Sequence, residues 1–350
     1  MVVLIFLTLS VVTIYSVSFA KLGFILARSQ LLYGLLGLAV MILVARIDYQ
    51  VWRRPVWLIL GLTLVALAGL FVIGSNQFGA TRWYNLGTFH FQPSELAKLS
   101  LIFVAAWLLA EAEAGWQWRQ LSLYALITGS FFALIFFEPD LGSASVILII
   151  GLAYLSLAKL HWRQWATLGL VVVLAIPVGY RLLRPYQRER VATFLNPESD
   201  KSGKSYNVNQ AKIAIGSGGL FGQGLGQGSQ SAQGFLPVAH TDFIFASIAE
   251  ATGTLGAGSL LALYGWLLWR SLRIAEQAKD LFGRSLVFGV VVMFSYQVAV
   301  NVGMNLGLLP VTGITLPLIS FGGTSLLISS FALGLVLAVE RQSRGFRLSH

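Results

Sequence analysis

With 350 residues, 56% of them apolar and only 11% charged, the chain lacks the polar side chains that coat a soluble globule, where charge runs near about 25%. Cysteine is absent, which excludes disulfides and thiolate metal sites. The formal charge of +10 sits in short clusters between apolar runs, the pattern that orients a membrane protein, so nucleic acid is not expected as a partner.

Ten apolar runs, each long enough to cross about 30 Å of hydrocarbon, predict helices over 2–19, 30–46, 56–74, 95–110, 121–137, 142–158, 165–183, 243–269, 285–305 and 322–339. The expectation is an all-α integral membrane protein. Residues 1–350 form a single polytopic membrane domain with about ten transmembrane helices, and a large extracytoplasmic loop, 184–242, joins helices 7 and 8. The first run, Met1 to Phe19, has neither a basic start nor a small-residue cleavage site, so it reads as a span rather than a removed signal peptide. The fifth and sixth runs are separated only by Glu138-Pro139-Asp140-Leu141-Gly142, where a proline between two acids makes a hairpin.

Basic residues set the orientation. With the N-terminus inside, the cytoplasmic segments hold Arg46, Arg53, Arg54, Arg119, Lys159, Arg163, Arg270, Arg273, Lys279, Arg284, Arg341, Arg344 and Arg347. The short outer segments hold Lys21, Arg28, Arg82 and Lys98, so both termini come out cytoplasmic. Gly203-Lys204-Ser205 is not a P-loop, because Glu198 stands where the first glycine should be, and ATP is not expected. Three outer segments, 79–95, 184–241 and 307–323, are rich in Gly, Pro, Asn and Ser, and long loops in a compact protein tend to carry function.

The sharpest candidate is Asp242, in His240-Thr241-Asp242-Phe243-Ile244-Phe245. It reads either as an N-cap of the eighth helix or as a carboxylate at the membrane boundary, whose lost hydration raises its pKa toward that of a base. In Pro93-Ser94-Glu95-Leu96-Ala97-Lys98, the i, i+3 spacing puts Glu95 and Lys98 on one helix face as a structural ion pair or part of a polar cavity. Arg82 and Trp83 suit an interfacial anchor or, through the guanidinium fork, a phosphate clamp. Glu138 and Asp140 form a close acidic pair that a hairpin with a helix cap also explains. Glu250, two turns below Asp242, would line the same cavity or pair with a buried cation. The glycine series from Gly216 to Gly234 has no strict GxGxxG and no preceding strand, which rejects dinucleotide binding. Arg184, Arg188, Arg190, Lys201, Lys204 and Lys212 share that loop and suit either an anionic headgroup or plain solvation near lipid phosphates.

Taken together, Gly79-Ala80-Thr81-Arg82-Trp83, Gln92-Pro93-Ser94-Glu95-Leu96-Ala97-Lys98, Glu138-Pro139-Asp140-Leu141-Gly142, His240-Thr241-Asp242-Phe243-Ile244-Phe245 and Leu316-Pro317-Leu318-Ile319-Ser320-Phe321-Gly322-Gly323 resemble the SEDS family of shape, elongation, division and sporulation proteins. The segment Leu309-Pro310-Val311-Thr312-Gly313 is closer to the RodA branch than to the FtsW branch. The resemblance implies a bacterial cytoplasmic-membrane glycosyltransferase that polymerises lipid II into peptidoglycan at an extracytoplasmic site, for cell elongation, with a class B penicillin-binding protein as transpeptidase partner. A lipid II flippase, a non-catalytic scaffold or an FtsW-type division paralogue are the alternatives. By the same resemblance Asp242 takes the place of the family's essential aspartate, and Glu95 and Lys98 that of its helix-four pair. Arg82, Trp83, His240, Thr241, Lys212 and Ser320 are the expected substrate-binding residues. No protein-bound metal or other cofactor is demanded, although a divalent cation, Mg or Mn, would serve the pyrophosphate. Ala251, Gln223 and Phe321 depart from the family's usual acid, Lys and Tyr.

Overall fold

The computed structural model describes residues 1–77, 80–87, 89–112, 114–182, 188 and 204–347. The expectations for Gly79, Arg184, Arg190, Lys201 and the Lys204 side chain lie outside the described residues. Each of the ten predicted runs is helical. They are α1 (Val2–Leu22), α2 (Ile25–Arg46), α3 (Val56–Ile73), α4 (Pro93–Glu111), α5 (Trp118–Phe137), α6 (Leu141–Leu157) and α7 (Trp162–Leu182), then, past α8 (Lys204–Ser217) in the long loop, α9 (Ile244–Glu276), α10 (Leu281–Asn305) and α11 (Gly323–Arg347). Seven are long and apolar enough to cross a membrane: α2, α3, α4, α5, α9, α10 and the Gly323–Ser343 part of α11. Val2–Ser18 and Leu141–Leu157 are shorter apolar helices. The chain is a multi-pass, nearly all-helical membrane protein.

The all-α expectation needs one amendment. Between α3 and α4 lies a small antiparallel sheet in the order β1 (Ser75–Gln77), β2 (Ala80–Leu86), β3 (Phe89–Phe91). Tyr84 pairs with Phe91 and Leu86 with Phe89 across a turn in which Gly87 has φ 78°, a conformation that glycine adopts without strain. The aromatic residues Trp83, Tyr84, Phe89 and Phe91 suit a pleated strand, and the segment satisfies its backbone groups by pairing them with one another. The sheet is tied to the bundle. Tyr84 Oη donates to Ala66 O of α3 at 2.7 Å, and Thr324 Oγ1 of α11 donates to His90 O at 2.7 Å.

Local chemistry fixes the helix starts. Pro93 occupies the opening turn of α4, where its missing N–H costs nothing. Asp140 caps α6 by accepting from Ser143 N at 3.1 Å, and Asp280 caps α10 by accepting from Gly283 N at 2.8 Å. Helix α4 is buried along nearly its whole length and packs against α3, α5, α6, α10 and α11, so it forms the centre of the bundle.

At 33 residues α9 is broken at Gly253, whose φ is 71°; unbroken it would run about 50 Å, well beyond the hydrocarbon thickness. The glycine loop closes the break. Gln223 N and Gly224 N donate to Glu250 O and Ala251 O at 2.9 and 3.0 Å, while Thr254 N and Leu255 N donate to Gly219 O and Leu220 O at 2.8 and 3.2 Å. Freed backbone groups in a membrane helix persist only when protein re-satisfies them, and a Cβ at Gly222 would collide with the backbone of Ala251. Helix α8 docks beside α9, with Ala211 and Ala214 packed on Leu236, Ala239, Phe243 and Ala246.

Candidate active site

The strip leading into α9 is held by its carbonyls, one after another. Ala239 O accepts from Ser247 Oγ at 3.3 Å, His240 O from Phe321 N at 2.9 Å, and Thr241 O from Ser320 Oγ at 2.7 Å. Asp242 O accepts from both Asn301 Nδ2 and Asn305 Nδ2 of α10, at 3.1 and 3.0 Å. Both asparagines are fully buried. Asn305 Oδ1 also accepts from Ala246 N at 3.1 Å, closing the free first turn of α9. A purely capping role would place Asp242 at the N-cap, but that position belongs to Phe243, one residue on. Upstream, Val238 has φ 52°, and across from it Leu318 has φ 66°. Left-handed backbone at bulky residues is strained and persists only where surroundings over-determine it. The result is a half-buried carboxylate on a backbone with little freedom to move.

Residues 312–314 join this strip to the α5–α6 turn. A Cβ on Gly313 would lie 3.6 Å from Asp242 Oδ2, and one on Gly142 only 2.7 Å from Thr312 O. Over the same turn, the Arg82 guanidinium donates to Glu138 O at 3.5 Å and to Pro139 O, and its Nη1 stands 3.8 Å from Asp140 Oδ1. Gln92 Nε2 donates to Asp140 Oδ2 at 3.1 Å. The planar fork of Arg82 therefore clamps the turn. Glu138 is 1% exposed, and burial, then the neighbouring Asp140, pushes its carboxyl up to about 9 against the opposing pull of Arg82. It is a neutral acid at pH 7.

One helical step further in, Ser94 Oγ donates to Ser143 Oγ at 3.4 Å, and Glu95 meets Lys98 at 2.6 Å. Their side chains are 7% and 2% exposed, so the ion pair is sealed in the bundle centre. Trp83 is half-buried on β2, opposite Ser75. His240 stacks edge-on against Phe321 at 5.7 Å, and burial lowers its pKa, which keeps the imidazole neutral at pH 7. Lys212, on an exposed part of α8, lies against Gly307 just past the end of α10.

The model of the family described as "Cell cycle protein", which joins FtsW, RodA and SpoVE, matches residues 1–345. The chain belongs to this family. It is 39% identical over 92% of its length to a probable peptidoglycan glycosyltransferase FtsW of Geobacter metallireducens, covering 87% of that protein. It is 38% identical to the peptidoglycan glycosyltransferase MrdB of Escherichia coli K12, over 87% of this chain and 83% of that one. Among solved structures it resembles the rod shape determining protein RodA of Thermus thermophilus with TM-score 0.72 and 31% identity, over 97% and 95% of the two chains. It also resembles a chain in a structure described as "Structural coordination of polymerization and crosslinking by a peptidoglycan synthase complex", with TM-score 0.83 and 32% identity over 98% and 96%.

Within this SEDS frame the structure brings His240, Thr241, Asp242 and Ser320 together, and links Arg82 to Glu138 and Asp140. Glu250 goes elsewhere. It is fully buried, and its two carboxylate oxygens accept from Gln230 N and Ser231 N at 2.8 and 2.9 Å, so it caps a turn of the glycine loop rather than lining a cavity with Asp242 or meeting a cation. Gln223 belongs to that turn too, accepting from Ser229 N at 3.2 Å. Sequence reasoning passed over Asn301 and Asn305. Their signal was available: two amides spaced i, i+4 on one face of an apolar helix, which in a membrane demand a buried partner.

Proposed function

We propose that Asp242 is the general base of lipid II polymerisation. The chain is a peptidoglycan glycosyltransferase of the SEDS family, and the Asp242 carboxylate, carried on an anchored backbone at the α9 entrance, is the group we assign to its proton chemistry. The growing glycan, carried on undecaprenyl pyrophosphate, serves as donor. The 4-hydroxyl of a lipid II GlcNAc attacks C1 of the donor MurNAc, and the C1–O bond to pyrophosphate breaks as the new glycosidic bond forms. The hydroxyl proton passes to Asp242, and direct displacement inverts α to β. Pyrophosphate leaves without protonation, so one base suffices.

The observation that carries this assignment is the run of held carbonyls from Ala239 to Asp242, because a base works only if it waits in the right place. Lys98 is committed to Glu95 and Arg82 to the α5–α6 turn. In this state both act by shaping the site and its field, and either could meet the pyrophosphate only by exchanging partners. Among the described residues no three His, Asp or Glu side chains converge as a metal cage, so a divalent cation, Mg or Mn, would fit only with substrate oxygens as most of its ligands.

We further assign the chain to the elongation role, on the Leu309 to Gly313 segment, with a class B penicillin-binding protein as partner. The likeness to a chain of a peptidoglycan synthase complex supports that pairing. The distribution of Lys and Arg supports an extracytoplasmic site with both termini cytoplasmic.

The decisive experiment is Asp242→Asn, purified in detergent and given lipid II. The substitution preserves the backbone anchors, so the thermal midpoint should hold while glycan synthesis, read on gels, falls about 10²- to 10⁴-fold. Normal polymer from the variant would remove the base. Absence of polymer from the wild-type protein, with lipid II transport intact, would favour the flippase instead.

A further inference from the structure

The opposite end of the central helix carries a second feature. Where α4 begins at Pro93 it meets the candidate site; where it ends, near Trp107 and Glu111, it borders a cleft of about 690 Å³. Its walls include Asp48, Gln50, Arg53, Arg54, Trp57 and Trp107. Most of the polar groups there are already engaged. Asp48 Oδ1 accepts from Gln50 N at 2.8 Å, Gln50 Nε2 donates to Asp280 at 2.7 Å, and Arg53 pairs with Glu111 at 2.6 Å. Arg54 differs. It is exposed, and among the described residues it has neither an ion pair nor a side-chain hydrogen bond. Trp57 and Trp107 meet edge to face at 5.1 Å, with 41% of Trp57 exposed.

From this cleft an apolar track descends α3. Leu58, Leu62 and Val65 are 63%, 60% and 71% exposed, and their i, i+4, i+7 spacing puts them on one face. Beside them, Gly61 leaves a notch, since a Cβ there would meet nothing within 4 Å. Unpaired guanidinium, paired indoles and then an apolar track follow the layers of a phospholipid: phosphate, glycerol-ester level and acyl chain.

We propose that this cleft is a binding site for an anionic phospholipid. The phosphate sits on Arg54 with Arg53 beside it, the indoles flank the ester region, and one acyl chain lies over Gly61 between Leu58, Leu62 and Val65. The site stands at the far end of α4 from Asp242, so its occupancy can be read without any assay of activity.

Native mass spectrometry of the full-length, detergent-purified chain tests it, with phosphatidylglycerol, phosphatidylcholine and soluble glycerol phosphate as probes. Wild-type protein should retain phosphatidylglycerol at least about fivefold better than phosphatidylcholine, the contrast expected of about one well-placed cation. Arg54→Gln should bring the two lipids level, with the thermal midpoint unchanged because the side chain is exposed. Gly61→Leu, which fills the notch, should weaken retention of both lipids. Arg163→Gln, an exposed cation in the first turn of α7 at the same end, should leave the preference intact. Equal retention by the wild type, or a preference that survives Arg54→Gln, would overturn the site. Displacement of the lipid by glycerol phosphate at comparable concentration would overturn the acyl part and leave a site for soluble phosphate esters.

Discussion

Helices α3 and α4 are neighbours of nearly equal length, 18 and 19 residues, and both are apolar enough to cross a bilayer. Yet only 28% of the α3 span is buried inside the protein, against 83% of α4. The more apolar helix is the peripheral one. Lipid is as good a solvent for Leu and Val as a protein core, so nothing draws α3 inward. Helix α4 carries Ser94, Glu95 and Lys98, all buried and all paired, and such groups tolerate the membrane only in a protein interior that pairs them. In this bundle polarity, rather than apolarity, marks the centre.

The comparison breaks most visibly at Lys98. Removing one partner of a sealed ion pair leaves a buried charge unmet, so Lys98→Met should cost about 3–5 kcal/mol, read as a large fall in thermal midpoint in detergent. Glu95→Gln combined with Lys98→Met should recover much of that loss. If the single and double variants melt alike, the pair does not act as a unit and the central role of α4 is weaker than its burial suggests.

A smaller effect is expected at Asn305. Asn305→Ala removes bonds to Asp242 O and Ala246 N and should cost about 1–3 kcal/mol. If the amide holds Asp242 in place for the proposed proton transfer, polymerisation should fall by more than the change in folded fraction explains. Activity that simply tracks stability would reduce Asn305 to a packing residue.

How far these features were legible in the sequence depends on what each was made of. Span positions follow from length and apolarity alone, and each predicted run is helical. The sheet over 75–91 is hard to see in the sequence because two of its strands are only three residues long and the segment's composition is that of a loop. Two aromatic-rich runs, Trp83-Tyr84 and Phe89-His90-Phe91, flanking Gly87 were nevertheless a hairpin signal. Asp242, Glu95 and Lys98 stood out as charges in apolar surroundings. What sequence could not supply was direction. Nothing local says that Glu250 turns to the amides of Gln230 and Ser231, or that the Arg82 fork is spent on the α5–α6 turn, because those hydrogen-bond partners lie 19 to 57 residues away in the chain.

Glu138 gives a prediction about pH. Its carboxyl, pushed up to about 9 from a usual value of 4.5, keeps its proton in the folded state where the unfolded chain would ionise. Below the unfolded value both states are protonated and the full stability is present. As pH rises toward about 9, the unfolded state alone releases the proton and stability falls, by at most about 1.4 kcal/mol per pH unit. Asp140, Arg82 and the nearby Tyr84 share this environment. Glu138→Gln, neutral throughout, should flatten the midpoint-against-pH curve between pH 5 and 9. Parallel wild-type and variant curves would mean that water reaches the carboxyl.

The smallest effect is the sharpest check on the contrast between the two helices. Leu62 of α3 is 60% exposed, and in a bilayer that exposure is contact with hydrocarbon. Leu62→Ala exchanges protein methyl groups for lipid methylenes and leaves no cavity, because acyl chains fill the space. The cost should stay below about 0.5 kcal/mol, with no change in polymerisation. In a soluble protein the same substitution would pass for a surface change because water covers it; here it passes because lipid does. A loss of 2 kcal/mol or more would mean that this face of α3 rests against protein, and would move α3 toward the centre that α4 now occupies.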